Sequence, residues 1–109
     1  MDVKYKRLWL IYLIEDEPDE FYYLMKDLQI LYWAKINCPR NEKIVCSLYL
    51  EFKYPISKVD FELVFKFRVN DVVSCNVPIG SREDMLNAFK KRVNDDITKI
   101  EWKYPIFLF

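Results

Sequence analysis

The chain has 109 residues, 52% of them apolar. That is the length of one ordinary domain with enough apolar mass for a core, so neither a second domain nor a fold dependent on disulfides or metal is expected. Its 17 Lys and Arg balance 17 Asp and Glu; no global positive field gathers nucleic acid or anionic membrane, and any such binding must be local.

Histidine is absent, which removes the commonest metal ligand and the commonest general base together. Cys38, Cys46 and Cys75 show no C-x-x-C spacing, which argues against a disulfide framework and for thiols held in or near the core in a reducing compartment. No apolar run approaches the ~18 residues of a membrane span. The start, Met1-Asp2-Val3-Lys4, lacks the apolar region of a signal peptide. These features predict an intracellular protein, in cytoplasm or nucleus, with no membrane partner.

Arg7 to Ile14 is a continuous apolar run rich in β-formers and reads as a central strand. Glu15 to Glu20 then reads as a helix start, with Asp16 or Glu17 ahead of Pro18 at the first helical position and carboxylates at the positive helix end. That reading accounts for the acidic cluster without a metal or partner. Phe21, Leu24, Met25 and Leu28 make one apolar helix face, ending near Gln29. Ile30 to Asn37 and Ile44 to Lys53 are predicted to form a hairpin across a longish polar loop, Cys38 to Lys43.

Tyr54-Pro55 is expected to stop that strand. Ser57 and Asp60 have the spacing of a capping box for a helix reaching about Lys66. Val72 to Val77 is a fourth strand, Pro78-Ile79-Gly80 a sharp turn holding the single glycine. Ser81 and Asp84 form a second capping box, for a helix whose apolar face is Met85, Leu86, Phe89 and Val93, ending near Asn94 to Asp96. The tail from Ile97 to Phe109, with Trp102, Tyr104, Phe107 and Phe109, is a last strand or a packed extension, covering its own sheet or a partner. The order βαββαβα points to an α+β fold, an antiparallel sheet with helices packed on one face, of ferredoxin-like type. Ile11, Leu13, Leu24, Leu28, Leu50, Phe52, Leu63, Leu86 and Phe89 are the expected core.

For chemistry the sequence offers little. It has no glycine-rich phosphate loop, no Ser/His/Asp or Cys/His set and no zinc-ligand spacing. With no His beside them, the cysteines lack the usual base for a nucleophile. No metal and no cofactor is therefore expected.

Cys38-Pro39 in a turn, Tyr49-Leu50-Glu51-Phe52 on the next strand, and Gly80-Ser81 opening a later helix share the register of a known pattern. From Tyr32 to Trp102 the chain resembles the replication-initiator (Rep) endonuclease domain of small circular single-stranded DNA viruses, the circovirus and nanovirus type of HUH endonuclease. That family carries a C-P-x-T-G-like turn, a metal-binding H-x-Q or H-x-H strand running into G-[YF]-x-x-F, and a helix with Y-x-x-K. The resemblance implies metal-ligand positions at Val45 and Ser47, an acidic ligand near Ile36, and the tyrosine nucleophile at Ala88 with its lysine at Lys91. A one-residue slip puts Phe89 and Arg92 there instead. The first-strand signature F-T-x-N falls unmatched on Ile11 to Ile14.

Metal ligands and nucleophile are thus missing, and Lys91 alone remains from the implied site. Such a nuclease needs a divalent cation to polarise the phosphate and a tyrosine oxygen to attack it, so the chain is expected not to be an enzyme. Two functions stay open. One is a non-catalytic viral accessory protein that binds a protein partner, for example inhibiting a host or competitor factor, with homodimerisation also possible. The other is a metal-independent single-stranded nucleic-acid-binding module. In that second case Arg82, Lys90, Lys91 and Arg92 are the candidate phosphate contacts, and Tyr32, Trp33, Tyr49 and Phe52 the candidate stacking platforms. The bland alternatives, a solvated basic helix and a core of aromatics, explain the same residues.

Overall fold

The computed structural model describes residues 3–68 and 72–95. Its elements are β1 (Lys4–Leu13), α1 (Phe21–Asp27), β2 (Ile30–Arg40), β3 (Lys43–Ser57), α2 (Lys58–Arg68), β4 (Val72–Asn76) and α3 (Arg82–Asp95), with a 3₁₀ turn at Ile14–Asp16 after β1. The βαββαβα order expected from the sequence is the order found. The four strands form one antiparallel sheet in the order β2-β3-β1-β4. β3 lies between β1 and β2, and β1 between β3 and β4, so α1 and α2 each carry the chain across an intervening strand.

Alternation along the strands divides the core in two. Leu8, Leu10 and Tyr12 of β1 and Cys46, Leu48, Leu50 and Phe52 of β3 face α1 and α2, where they meet Phe21, Leu24, Met25, Phe61 and Phe65. Their neighbours one residue along face the other way. There Tyr32, Ala34, Ile36 and Tyr49 are buried with Phe89, and Trp9, Met85 and Leu86 pack around them. The helices therefore cover both faces, α1 and α2 on one and α3 on the other, which corrects the single-sided arrangement. The cause is that β1 to β3 are apolar on both faces and each face must be covered.

The structure departs from the sequence reading in four further places. The first helix starts at Phe21, not at Pro18, because Glu17 is turned inward toward Lys35 and the N-cap Glu20 makes no side-chain cap bond. The hairpin loop is short: Arg40 pairs with Lys43 across Asn41 and Glu42, both at positive φ, 48° and 67°, the signature of a type I′ turn. Pro55 does not end β3, because the β1 register jumps between Tyr5/Ile56 and Arg7/Glu51 and leaves Pro55 in the resulting bulge, where no ladder bond is asked of it.

Leu63 is the fourth departure. It was expected in the core but is 68% exposed, since Phe61 and Phe65, one helical turn apart, take the inward face of α2. Of the remaining expected core, Leu24, Leu50, Phe52 and Phe89 are buried and Ile11, Leu13, Leu28 and Leu86 half-buried. The tail expected from Ile97 to Phe109 lies outside the described residues, as does the side chain of Cys38; Cys46 is buried and Cys75 half-buried, neither in a disulfide.

The N-cap bond of both predicted capping boxes forms, and the second box closes fully. Ser57 Oγ accepts from the Asp60 amide at 3.1 Å. Ser81 Oγ accepts from the Asp84 amide at 3.2 Å, and Asp84 Oδ2 accepts in return from the Ser81 amide at 3.0 Å. Gly80 is needed here for space and not for a left-handed φ: a Cβ at that position would sit 2.7 Å from Asp84 Cβ. Among the described residues no helix is long and apolar enough to cross a membrane.

Candidate functional site

The positions that the resemblance implies for the metal, Ile36, Val45 and Ser47, lie together on one face of β2 and β3, while Ala88, the position it implies for the nucleophile, does not face them. Ile36 and Ser47 are direct partners across β2 and β3, and Val45 follows on the same face of β3. α3 lies over that face, with Phe89 seated against the cluster of Ala34, Ile36 and Tyr49. What fills the space is packing. Ile36 is fully buried, Phe89 is 2% exposed, and Ser47 Oγ accepts a hydrogen bond of 2.6 Å from Trp9 Nε1. Ala88 points to solvent, so the residue of α3 that faces the sheet is Phe89, one position on. Among the described residues no group of three or more His, Cys, Asp or Glu is placed to hold a metal ion.

The start of α3 is strapped to the same face by charge. Arg82 Nε and Nη2 donate to the two Glu51 oxygens at 2.6 and 2.5 Å, while the guanidinium lies 4.1 Å from the centroid of the Tyr32 ring. The Tyr49 hydroxyl donates to Glu51 at 2.7 Å, and Arg7 Nη1 donates to the Gly80 carbonyl at 2.5 Å. Burial works against the Glu51 anion, yet the hydrogen bonds from Arg82 and Tyr49 and the charges of Arg82 and Arg7 hold its carboxyl below the usual range. Burial, reinforced by the bond to Glu51, pushes the Tyr49 phenol up to about 12. This network fixes α3 on the sheet; nothing in it is a poised acid or base at neutral pH.

The expected nucleic-acid residues are thus divided. Arg82 has its charge matched within the fold and Lys91 is exposed on α3, while the side chains of Lys90 and Arg92 lie outside the described set. The candidate stacking residues Trp33, Tyr49 and Phe52 are buried in the two cores, and Tyr32 is buried beneath Arg82. None of these four rings offers a free face to a base.

A second polar cluster lies under α1. Lys35, placed mid-strand on β2, donates to both Glu17 oxygens at 2.8 and 2.7 Å, the Tyr12 hydroxyl donates to the same carboxylate, and the ammonium sits 4.5 Å from the Phe21 ring centroid. Burial raises the Tyr12 pKa well above the usual phenol value, and the nearby Cys46 and Glu17 add to it. Every charge in this cluster is matched, which makes it a clasp between the segment after β1 and the sheet.

The feature that sequence reasoning missed is the outer face of α2. Val59, Leu63 and Val64 are 66%, 68% and 40% exposed, on a helix whose opposite face already buries Phe61 and Phe65. Val59, Leu63, Glu62 and Lys66 line a shallow groove of about 430 Å³. The signal was present: 58–68 has apolar residues on both helical faces, where a surface helix normally has one. Compared with known proteins, the chain matches no family model and no curated protein.

Proposed function

We propose that this chain is a non-catalytic, Rep-like viral accessory domain that acts by binding a protein partner through the outer face of α2. The observation that carries the reading is the second apolar stripe of that helix: Val59 and Leu63, one turn apart and both about two-thirds exposed, are costly to leave in water and suit a contact surface. Two further observations support it. The positions where the resemblance would put metal ligands carry Ile36, Val45 and Ser47, and the position where it would put the tyrosine carries Ala88, or Phe89 on a one-residue slip, none of which can bind the ion tightly or attack phosphate. Arg82, the first of the basic residues on α3, is held by Glu51. The antiparallel sheet order β2-β3-β1-β4, with crossovers through α1 and α2, is compatible with a ferredoxin-like arrangement and so supports the reading.

The test is a photoreactive residue at position 63, with one at the exposed Tyr22 as control, followed by cross-linking in cells that express the protein. Protein adducts concentrated at position 63 support the reading. If position 63 gives no protein adduct, and the domain instead binds single-stranded DNA with an affinity that falls steeply with salt, the nucleic-acid reading replaces it.

A further inference from the structure

We propose that the outer edge of β2 is a docking groove for an extended segment, and that its occupant is the C-terminal segment of this same chain, residues 97–109, hydrogen-bonded to β2 as a fifth strand. This is independent of the outer face of α2.

β2 ends the sheet: among the described residues it pairs with β3 alone. In an antiparallel pair every second residue turns its N–H and C=O away from the partner strand, so alternate residues among Trp33, Ala34, Lys35 and Ile36 point those groups outward. All four are nevertheless buried, Ala34 and Ile36 completely. The other edge of the sheet contrasts with this: on β4, Ser74 and Cys75 are half-buried and Asn76 is exposed. α1 and α3 account for the side chains of β2, with Phe21 against Trp33 on one face and Phe89 beside Ala34 and Ile36 on the other. Neither face supplies backbone partners to the edge between them. Buried backbone groups are paired in folded proteins. The burial is that of an isolated chain, so a segment of the chain itself supplies the cover.

Length and topology identify the segment. Residues 1–2, 69–71 and 96–109 lie outside those described, and only the last stretch can line four residues of a strand. α3 runs with β2, since Arg82 sits over Tyr32 and Phe89 beside Ile36. The chain leaves Asp95 about 9 Å beyond Phe89, and doubling back from there brings it along β2 in the opposite direction. Residues 97–109 reach roughly 40 Å when extended, more than the stretch requires. That direction is antiparallel to β2 and parallel to β4, so α3 becomes a crossover between parallel strands, as α1 and α2 are. Relative to α1 it inverts both strand direction and sheet face, which preserves the single hand required of such crossovers. Ile100, Trp102 and Tyr104 alternate with Lys99, Glu101 and Lys103, the period of a strand with one covered face and one wet face.

Nuclear magnetic resonance on the isotope-labelled full chain tests this. The outward amides among residues 33–36 are expected to exchange slowly and to give cross-strand contacts with residues 98–104. A sample mixing labelled and unlabelled chains is expected to show those contacts within one chain. Glu101→Pro and Trp102→Pro are compared side by side, because successive residues of a strand point to opposite edges. The variant that removes an N–H facing β2 is expected to speed exchange at the outward amides by roughly tenfold or more, and the other to be tolerated. Leu10 and Leu48, partners in the ladder between β1 and β3, keep their protection in both, which separates undocking from unfolding.

Outward amides at 33–36 that exchange as fast as those on the outer edge of β4 overturn the inference. So do cross-strand contacts that lead instead to α1, to α3 or to the tail of another copy.

Discussion

Arg82 grips Glu51 with two nitrogen–oxygen contacts, 2.6 and 2.5 Å, and so ties the first turn of α3 to the centre of the sheet. The pair is half-exposed on the arginine side, which limits its worth, but the geometry is bidentate and the guanidinium is stacked on Tyr32. Arg82→Ala is expected to destabilise the fold by about 1 kcal/mol. Arg82→Lys recovers little of that, because an ammonium neither forks nor stacks. Chemical denaturation of both variants, with Glu51→Gln to complete a double-mutant cycle, measures the coupling.

Lys35 and Glu17 behave differently because their side chains are 6% and 15% exposed. Removing one partner strands the other in the core, so Lys35→Met alone is expected to cost about 3–5 kcal/mol. Lys35→Met combined with Glu17→Gln takes away both charges and should recover much of that loss. Urea midpoints for the two variants decide it; equal losses would show that the pair does not act as a unit.

At Glu42 the backbone holds φ at 67°, a region where a Cβ is unfavourable and glycine is not. Glu42→Gly supplies the favoured second residue of a type I′ turn after Asn41. It is expected to raise stability by roughly 0.5–1 kcal/mol, read as an increase in the denaturation midpoint with an unchanged slope.

Stability should fall at both ends of the pH scale. Glu51 is depressed in the fold, so its contribution is complete above the ordinary glutamate pKa of about 4.3 and disappears as pH drops through the lower folded value. Tyr49 is raised to about 12, so its contribution is complete below the ordinary phenol value of about 10 and fades as pH climbs from there toward 12. Melting temperature against pH should show both limbs. Glu51→Gln should flatten the acid one, and Tyr49→Phe the alkaline one.

The elements were legible because their signals are local: the capping residues Ser57 and Ser81, the spacing of Phe21, Leu24 and Met25, the apolar run of β1. That run also held the evidence for helices on both faces, since Trp9 and Ile11 are as apolar as Leu8 and Leu10 and a one-sided sheet would leave them wet. On α2 the periodicity offered two apolar stripes, Phe61 with Phe65 and Val59 with Leu63. Which one the sheet took depended on the shape of the space beside Tyr12 and Phe52, a tertiary property. Lys35 and Glu17, like Arg82 and Glu51, are distant in sequence and reveal their pairing only once the strands are aligned. Phe89 was legible as part of the apolar face of its helix and is buried, but its seat beside Ile36 is set by the tertiary packing.

The central proposal, that this is a binding domain without nuclease chemistry, is tested most directly by incubating the purified chain with labelled single-stranded stem-loop DNA and manganese and resolving the products on a denaturing gel. Neither cleaved strand nor protein-linked DNA is expected, because neither Ala88 nor Phe89 has a hydroxyl to attack and Ile36, Val45 and Ser47 offer no carboxylate or imidazole to hold the ion that would polarise the phosphate. Cleaved strand, with or without a covalent protein adduct, would contradict the account.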